Sequence, residues 1–257
     1  MQLKRLVVEK ILDVNSSSRS STYYKLHDLT QARAILSDYQ TQEVRQEGPV
    51  ALPENLFDVV FGFEGVKLLL RKALTAGRPV HVLLKGPIAS AKSIFLQEIC
   101  RLPGSRFTIG GSNTKAGMED YVLEYRPHYL IIDEMDKMAR KDFAGLYSLT
   151  EFGLVTRLKK FMSESVKLDI RVFGAANSLD PIPQEILSRF FVRELPPYDR
   201  EMFIEVCIAF LTKREGVGRE LAEYIANRVA DSSKDPRQAR HIARLCGTKD
   251  EVNALLV

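Results

Sequence analysis

The sequence predicts an α/β fold, a parallel sheet flanked by helices on both faces, with a small all-helical domain at its C-terminal end. Three observations carry this reading. Apolar runs with strand character at residues 80–84, 129–132 and 173–176 alternate with helical patterns, as strand–helix–strand crossovers require. The octet Gly86-Pro87-Ile88-Ala89-Ser90-Ala91-Lys92-Ser93 separates the first of these runs from a helical pattern. From Arg200 onward the strand signals stop, and helical periodicity follows over residues 202–213, 220–229 and 237–246.

Before the sheet, residues 3–13 show a helical pattern, 15–22 form a Ser-rich polar break, and 29–39 again read as helix. Glu47-Gly48-Pro49, with Pro53 soon after, reads as a linker. The expected organisation is an N-terminal helical segment over 1–50 with no evident chemistry, an α/β domain over 51–196, and a helical lid over 197–257, hinged near Pro196-Pro197.

At 257 residues the chain can bury a full core and still divide into a main domain and a small one. A formal net charge of +4 permits a nucleic-acid partner without demanding one. Cys100, Cys207 and Cys246 are widely spaced and lack partners at metal-ligand spacing, so they read as buried apolar residues of a reducing compartment. The run over residues 3–14 is broken by Lys4, Arg5, Glu9 and Lys10, unlike a signal peptide or membrane span. The expectation is a cytoplasmic protein with no membrane partner.

The octet has the order of a phosphate-binding loop. Backbone N–H groups and the following helix N-terminus face an anion, Lys92 is placed to reach terminal phosphates, and Ser93 to ligate magnesium. Ala91 stands where the strict pattern has Gly. If Ala89 or Ala91 needed a positive φ, the cost would be roughly 1–2 kcal/mol relative to Gly. The alternative is an ordinary strand-to-helix turn that contains one lysine.

A second strand ends in adjacent carboxylates, Asp133 and Glu134. Asp133 is placed to hold magnesium, and Glu134 to polarise a water that attacks a γ-phosphate. An acidic helix N-cap is the competing explanation.

In this order the two motifs resemble those of the AAA+ ATPases, and further segments are similar to elements of that family. Residues 173–177 resemble the strand ending in the polar residue beside the γ-phosphate, which implies that Asn177 helps Glu134 position water; a turn-capping Asn is the alternative. Residues 186–190 resemble the segment bearing the arginine offered to a neighbouring subunit, which implies that role for Arg189; a surface ion pair is the alternative. Residues 235–240 resemble the start of the lid helix with the second phosphate-sensing arginine, here Arg237, while Asp235 and Pro236 suit N-cap and N1 positions. Residues 57–67 are similar to the segment that packs beside the adenine ring. The resemblance spans roughly residues 54–250. Its acidic strand looks most like the MCM helicase branch, and its compact course and lid look like the RuvB-type Holliday-junction branch-migration motor.

Two elements bear on substrate. Residues 151–155, followed by Arg157, Lys159 and Lys160 and then an apolar return, suggest a β-hairpin, and both branches place a hairpin there. Basic residues near its tip suit a phosphate backbone, and a solvated basic face is the alternative. The segment 110–117 lacks the aromatic of polypeptide-gripping pore loops; its Lys115 suits an anionic substrate, and a flexible Gly-rich connection is the alternative. The resemblance implies ATP and Mg2+ as cofactors and a ring-type homo-oligomer, expected as a hexamer. DNA is the expected substrate of a helicase or branch-migration motor, with a protein loader or adaptor as a further partner. A protein-remodelling chaperone and a slowly hydrolysing switch are the competing functions.

Overall fold

The structure is a computed structural model of the chain and describes residues 12–17, 22–27, 51–159, 162–232 and 235–255. The chain divides into two compact units, Met1–Gly48 and Pro49–Val257.

In the first unit, β1 (Leu12–Ser17) pairs antiparallel with β2 (Thr22–Leu26), Leu12 opposite Leu26 and Ser17 opposite Thr22. This corrects the sequence reading, in which residues 12–13 close a helix and 15–22 form an irregular break. Val14, Thr22, Tyr23 and Tyr24 are β-branched or aromatic, and a pleated surface accommodates them better than a helix. The helix expected over 29–39 lies outside the described residues.

The second unit is built on a five-stranded parallel sheet in the order β4-β5-β8-β3-β9. In chain order it runs α1 (Glu64–Thr75), β3 (His81–Lys85), α2 (Lys92–Ile99), β4 (Ser105–Ile109), α3 (Lys115–Tyr125) and β5 (Tyr129–Asp133). After α4 (Ala144–Phe152), an antiparallel hairpin of β6 (Leu154–Lys159) and β7 (Met162–Lys167) leads into β8 (Arg171–Ala176), α5 (Gln184–Leu187) and β9 (Phe190–Glu194). Successive side chains on a strand point to opposite faces, and the central strands use both. Val82 and Leu84 of β3, Ile131 of β5 and Phe173 of β8 enter one apolar cluster with α1 and α2. Leu83, Leu130, Ile132 and Val172 enter a second with α3 and α4.

Four helices follow: α6 (Arg200–Arg214), α7 (Arg219–Ala230), α8 (Pro236–Leu245) and α9 (Lys249–Leu255). Asp199 caps α6 by accepting from the Met202 N–H at 2.7 Å, and Asp235 caps α8 ahead of Pro236. Their buried residues, Phe203, Ile225 and Val252 among them, belong to the same cluster as Phe95 of α2. No described helix is long and apolar enough to cross a membrane.

Glu98 near the end of α2 is only 3% exposed and is held from three directions. Arg214 of α6 donates to its two oxygens at 2.9 and 2.8 Å, Arg101 donates at 2.6 Å, and the Phe57 N–H donates at 3.1 Å. Arg214 also bonds Asp58, and Lys213 bonds Asp58 at 3.1 Å. Burial alone would raise the Asp58 carboxyl, but the hydrogen bonds from Lys213 and Arg214 outweigh it and hold the group below its ordinary value.

His81, at the start of β3, is buried and uses both ring nitrogens. Nε2 lies 2.9 Å from the Thr150 carbonyl, and Nδ1 lies 3.0 Å from the Val172 N–H. A carbonyl only accepts and an N–H only donates, so this geometry selects the neutral ring protonated at Nε2. Burial, reinforced by the charge of Arg171 and opposed by the Thr150 bond, lowers its pKa. The unfolded chain therefore takes up a proton before the folded one does as pH falls. Stability is full above about pH 6.5 and declines below it, by at most about 1.4 kcal/mol per pH unit until the folded value is passed. Urea unfolding across this range should show that decline, and His81→Gln should be less stable at neutral pH with a shallower slope.

Candidate functional site

The carboxyl ends of β3, β5 and β8 open onto a cavity of about 260 Å³ that is also lined by Phe210 of α6 and by Pro236, Arg237 and Arg240 of α8. Ligands of open parallel sheets sit at this end of the strands. Ile88, Ala89, Ser90, Lys92, Ser93, Asp133, Glu134, Asn177 and Arg237 all line it, so the structure brings together residues from four separated sequence segments.

The loop starts tightly. Gly86 donates to the Ala176 carbonyl at 3.2 Å, and a Cβ at this position would lie 2.5 Å from the Leu195 carbonyl oxygen. Ala89 adopts φ 60°, the left-handed conformation, whereas Ala91 is right-handed at φ −64°. Only the first of the two alanines therefore carries strain. No side chain caps the N-terminus of α2, which leaves its first N–H groups facing the cavity end of the loop. Lys92 is buried and folds back on the loop, donating to the Gly86 and Pro87 carbonyls at 2.7 and 2.6 Å and to Ser90 Oγ at 3.1 Å. Burial lowers its pKa, against the pull of Asp133 and Asp136.

Ser93 Oγ donates to Asp133 Oδ2 at 3.2 Å and receives a bond of the same length from Arg237 Nη2. The other Asp133 oxygen accepts the Glu134 N–H at 2.9 Å. Glu134 stands in the left-handed region at φ 54°, a conformation that costs a side-chain-bearing residue roughly 1–2 kcal/mol and is held by its surroundings. Those surroundings include Gly110 at the end of β4, where a Cβ would lie 2.2 Å from the Glu134 carbonyl oxygen. A hydroxyl paired with a carboxylate suits a hard divalent cation, and the uncapped helix with a lysine suits a polyphosphate, so the residues fit Mg-ATP.

Other expectations fall elsewhere. Arg189 lies outside the cavity wall: it pairs with Glu151 at 2.9 Å, donates to the Glu185 carbonyl and sits 5.5 Å from the Tyr147 ring centroid. Residues 57–63 do not line the cavity, because Phe57 at φ 69° and Phe63 at φ 56° turn their rings onto Phe95. In the Gly-rich segment 110–112 is a 3-10 turn with Gly110 buried, and Lys115 starts α3 with its N–H donated to Asp142 at 3.0 Å and its Nζ 3.8 Å from Glu119. The hairpin forms as expected. Arg157 and Lys159 lie in β6, and Lys160 falls outside the described residues.

The cavity also contains residues the sequence reading missed: Gln97 of α2, Lys137 after the acidic strand, Phe210 of α6 and Arg240 of α8. Helical spacing was the available signal, since Gln97 follows Ser93 by four residues and Arg240 follows Arg237 by three.

No curated protein sequence matches the chain. Residues 82–198 match the model of the "ATPase family associated with various cellular activities (AAA)". A single-substitution variant of Thermotoga maritima RuvB superposes with a TM-score of 0.56 at 24% identity, over 80% of this chain and 67% of that one. The Thermotoga maritima RuvB Holliday junction branch migration motor gives 0.55 at 23% identity, over 79% and 70%. At these identities the likeness is one of fold. The family match falls on the strands that build the cavity, so residues 82–198 resemble an AAA ATPase domain, and the fold around them is RuvB-like.

Proposed function

We propose that this protein is an ATP-hydrolysing AAA+ motor that acts on DNA in the manner of a helicase or branch-migration enzyme. In this reading it works as a ring homo-oligomer in the cytoplasm, with 51–196 as its nucleotide domain and 197–257 as its lid. The observation that carries the reading is the convergence of Lys92, Ser93, Asp133, Glu134, Asn177 and Arg237 on one cavity. The structural likeness to a named branch-migration motor supports DNA as the substrate.

Lys92 leaves the loop carbonyls to pair with the terminal phosphates, and the N–H groups of α2 hold the chain of phosphates in place. Magnesium, when bound, supplies the positive charge that phosphoryl transfer needs, and Ser93 and Asp133 hold it. Glu134 orients a water and takes its proton as the water oxygen bonds to the γ-phosphorus and the bond to the β–γ bridging oxygen breaks, releasing ADP and phosphate, with Asn177 fixing the water's other side. Arg237 closes the lid over the terminal phosphate. Arg189 is offered to the site of a neighbouring copy, which requires it to leave Glu151.

Lys92→Ala should weaken ATP binding, whereas Glu134→Gln should bind ATP normally and lose turnover by about 100-fold or more. Nucleotide titration beside steady-state hydrolysis separates the two, and wild-type turnover by Glu134→Gln would remove the assigned role.

Gly110→Ala puts a methyl group against the Glu134 backbone, where no flexible side chain can yield. Its displacement of the Glu134 carboxylate should cut turnover by about 100-fold while ATP affinity stays near wild type. Equal loss of affinity would show instead that the whole cavity has shifted.

If Lys159 and Lys160 meet a phosphate backbone, replacing both with Ala should reduce the salt dependence of DNA binding by about two counterions. Basal ATP hydrolysis should be unchanged. Failure of the assembled wild type to bind DNA at low salt, or to hydrolyse ATP faster with it, would transfer the assignment to protein remodelling.

A further inference from the structure

Arg237 is not the only guanidinium that α8 directs at the cavity. Arg240 lies three residues on, about 4.5 Å along the helix axis and on the same face. Both line the cavity wall. Their circumstances differ. Arg237 reaches Ser93 Oγ at 3.2 Å, beside the Asp133 carboxylate, and so marks the metal end of the site. The Arg240 Nε is buried and has no hydrogen-bond partner.

A buried donor left unpaired is costly, and most such groups in folded proteins find a partner. Among the described residues a few other buried side-chain atoms are also unpaired, on Asn113, Asp136, Arg171 and Tyr198, but Arg240 alone of these belongs to the cavity wall. Two of the three carboxylates of the cavity wall are engaged elsewhere, and the third, Glu134, makes no hydrogen bond to Arg240 Nε. Asp133 holds Ser93 and the Glu134 N–H, and Asp235 accepts the Arg237 N–H as the cap of α8. An acceptor for Arg240 therefore has to come from what fills the cavity.

We infer that Arg240 binds the phosphate nearest the ribose of a bound nucleotide, so that it holds nucleoside diphosphate and triphosphate alike while Arg237 reads the terminal phosphate. This rests on the nucleotide-site reading above. The order of groups across the cavity supports it. Ser93 and Asp133 fix the terminal end, and one turn further along α2 the wall is Gln97. On the side of the C-terminal helices the wall holds Arg237, Arg240 and the apolar Phe210, a side chain suited to an uncharged portion of a ligand. The position between the two ends falls to the start of the phosphate chain, where an anionic oxygen meets a guanidinium fork with charge-assisted geometry.

The test is calorimetric titration of the full chain with Mg-ADP and Mg-ATP separately. Arg240→Met keeps the long unbranched stem and removes the charge. It should weaken both nucleotides about tenfold or more. Arg237→Ala should weaken ATP far more than ADP. The nucleotide-free melting temperature of Arg240→Met should equal or exceed that of wild type, because no bond is lost before ligand enters and an unpaired buried donor is removed.

Unchanged ADP affinity in Arg240→Met, with wild-type binding intact, would overturn the inference. Loss confined to ATP would overturn it as well, since it would place Arg240 on the terminal phosphate. If affinity and melting temperature fall together, Arg240→Lys decides: affinity returning with the charge supports the assignment, and melting temperature returning without affinity refutes it. A wild-type chain that binds neither nucleotide would remove the underlying site reading itself.

Discussion

The Glu98 carboxylate fixes the relation between the lid and the sheet. A charge with so little exposure is tolerable only when its partners are complete, and here two arginines and a backbone N–H complete them. Those partners come from separated parts of the chain. Arg214 belongs to the lid, Arg101 follows α2 in sequence, and the Phe57 N–H belongs to the segment before α1. Apolar packing between Phe95, Phe203 and their neighbours supplies adhesion without direction. The carboxylate adds direction, because a bidentate guanidinium contact is satisfied in few orientations. The placement of Arg237, Arg240 and Phe210 over the phosphate loop follows from that orientation.

Of the five described side-chain-bearing residues at positive φ, two border the cavity. Ala89 and Glu134 both adopt left-handed conformations without being glycine, and both border the same cavity. Glu134 is compensated: its N–H is taken by Asp133, and Gly110 leaves room for its carbonyl. Ala89 has no comparable reward in the protein's own bonds, and its conformation is held by the loop around it. A loop held in this way is pre-shaped for a ligand that uses its backbone N–H groups.

The sequence carried β3, β5 and β8, the loop, the acidic pair, the hairpin and the C-terminal helices, because each has a local signal: apolar runs of strand length, a glycine and lysine at fixed spacing, or helical periodicity with an Asp-Pro start; it did not carry the edge strands β4 and β9, whose exposed residues leave no apolar run of strand length. It did not carry β1 and β2, whose short polar strands contain too few apolar residues for the period to show. Nor did it carry the aromatic packing of Phe57 and Phe63. Those rings reach Phe95 only because two non-glycine residues take positive φ, and composition gives no sign of that. Arg240 and Gln97 were legible in principle from helical spacing. Recognising them requires knowing which helix faces the cavity, and this depends on the lid's docking angle and hence on Glu98. Arg189 shows the opposite limit: its segment was recognisable, but its present partners, Glu151 and Tyr147, lie on a helix about forty residues earlier.

The helix α2 meets the lid at both ends, and the two attachments are unequal. At its far end the Glu98 cluster has several charged bonds in a dry setting, whereas at its near end a single 3.2 Å contact joins Arg237 to Ser93 at the edge of the cavity. The two contacts also differ in what a ligand can replace: the Glu98 carboxylate is closed to the cavity, whereas Ser93 and Arg237 both line it, so a bound anion would compete for the lighter fastening and leave the heavier one intact.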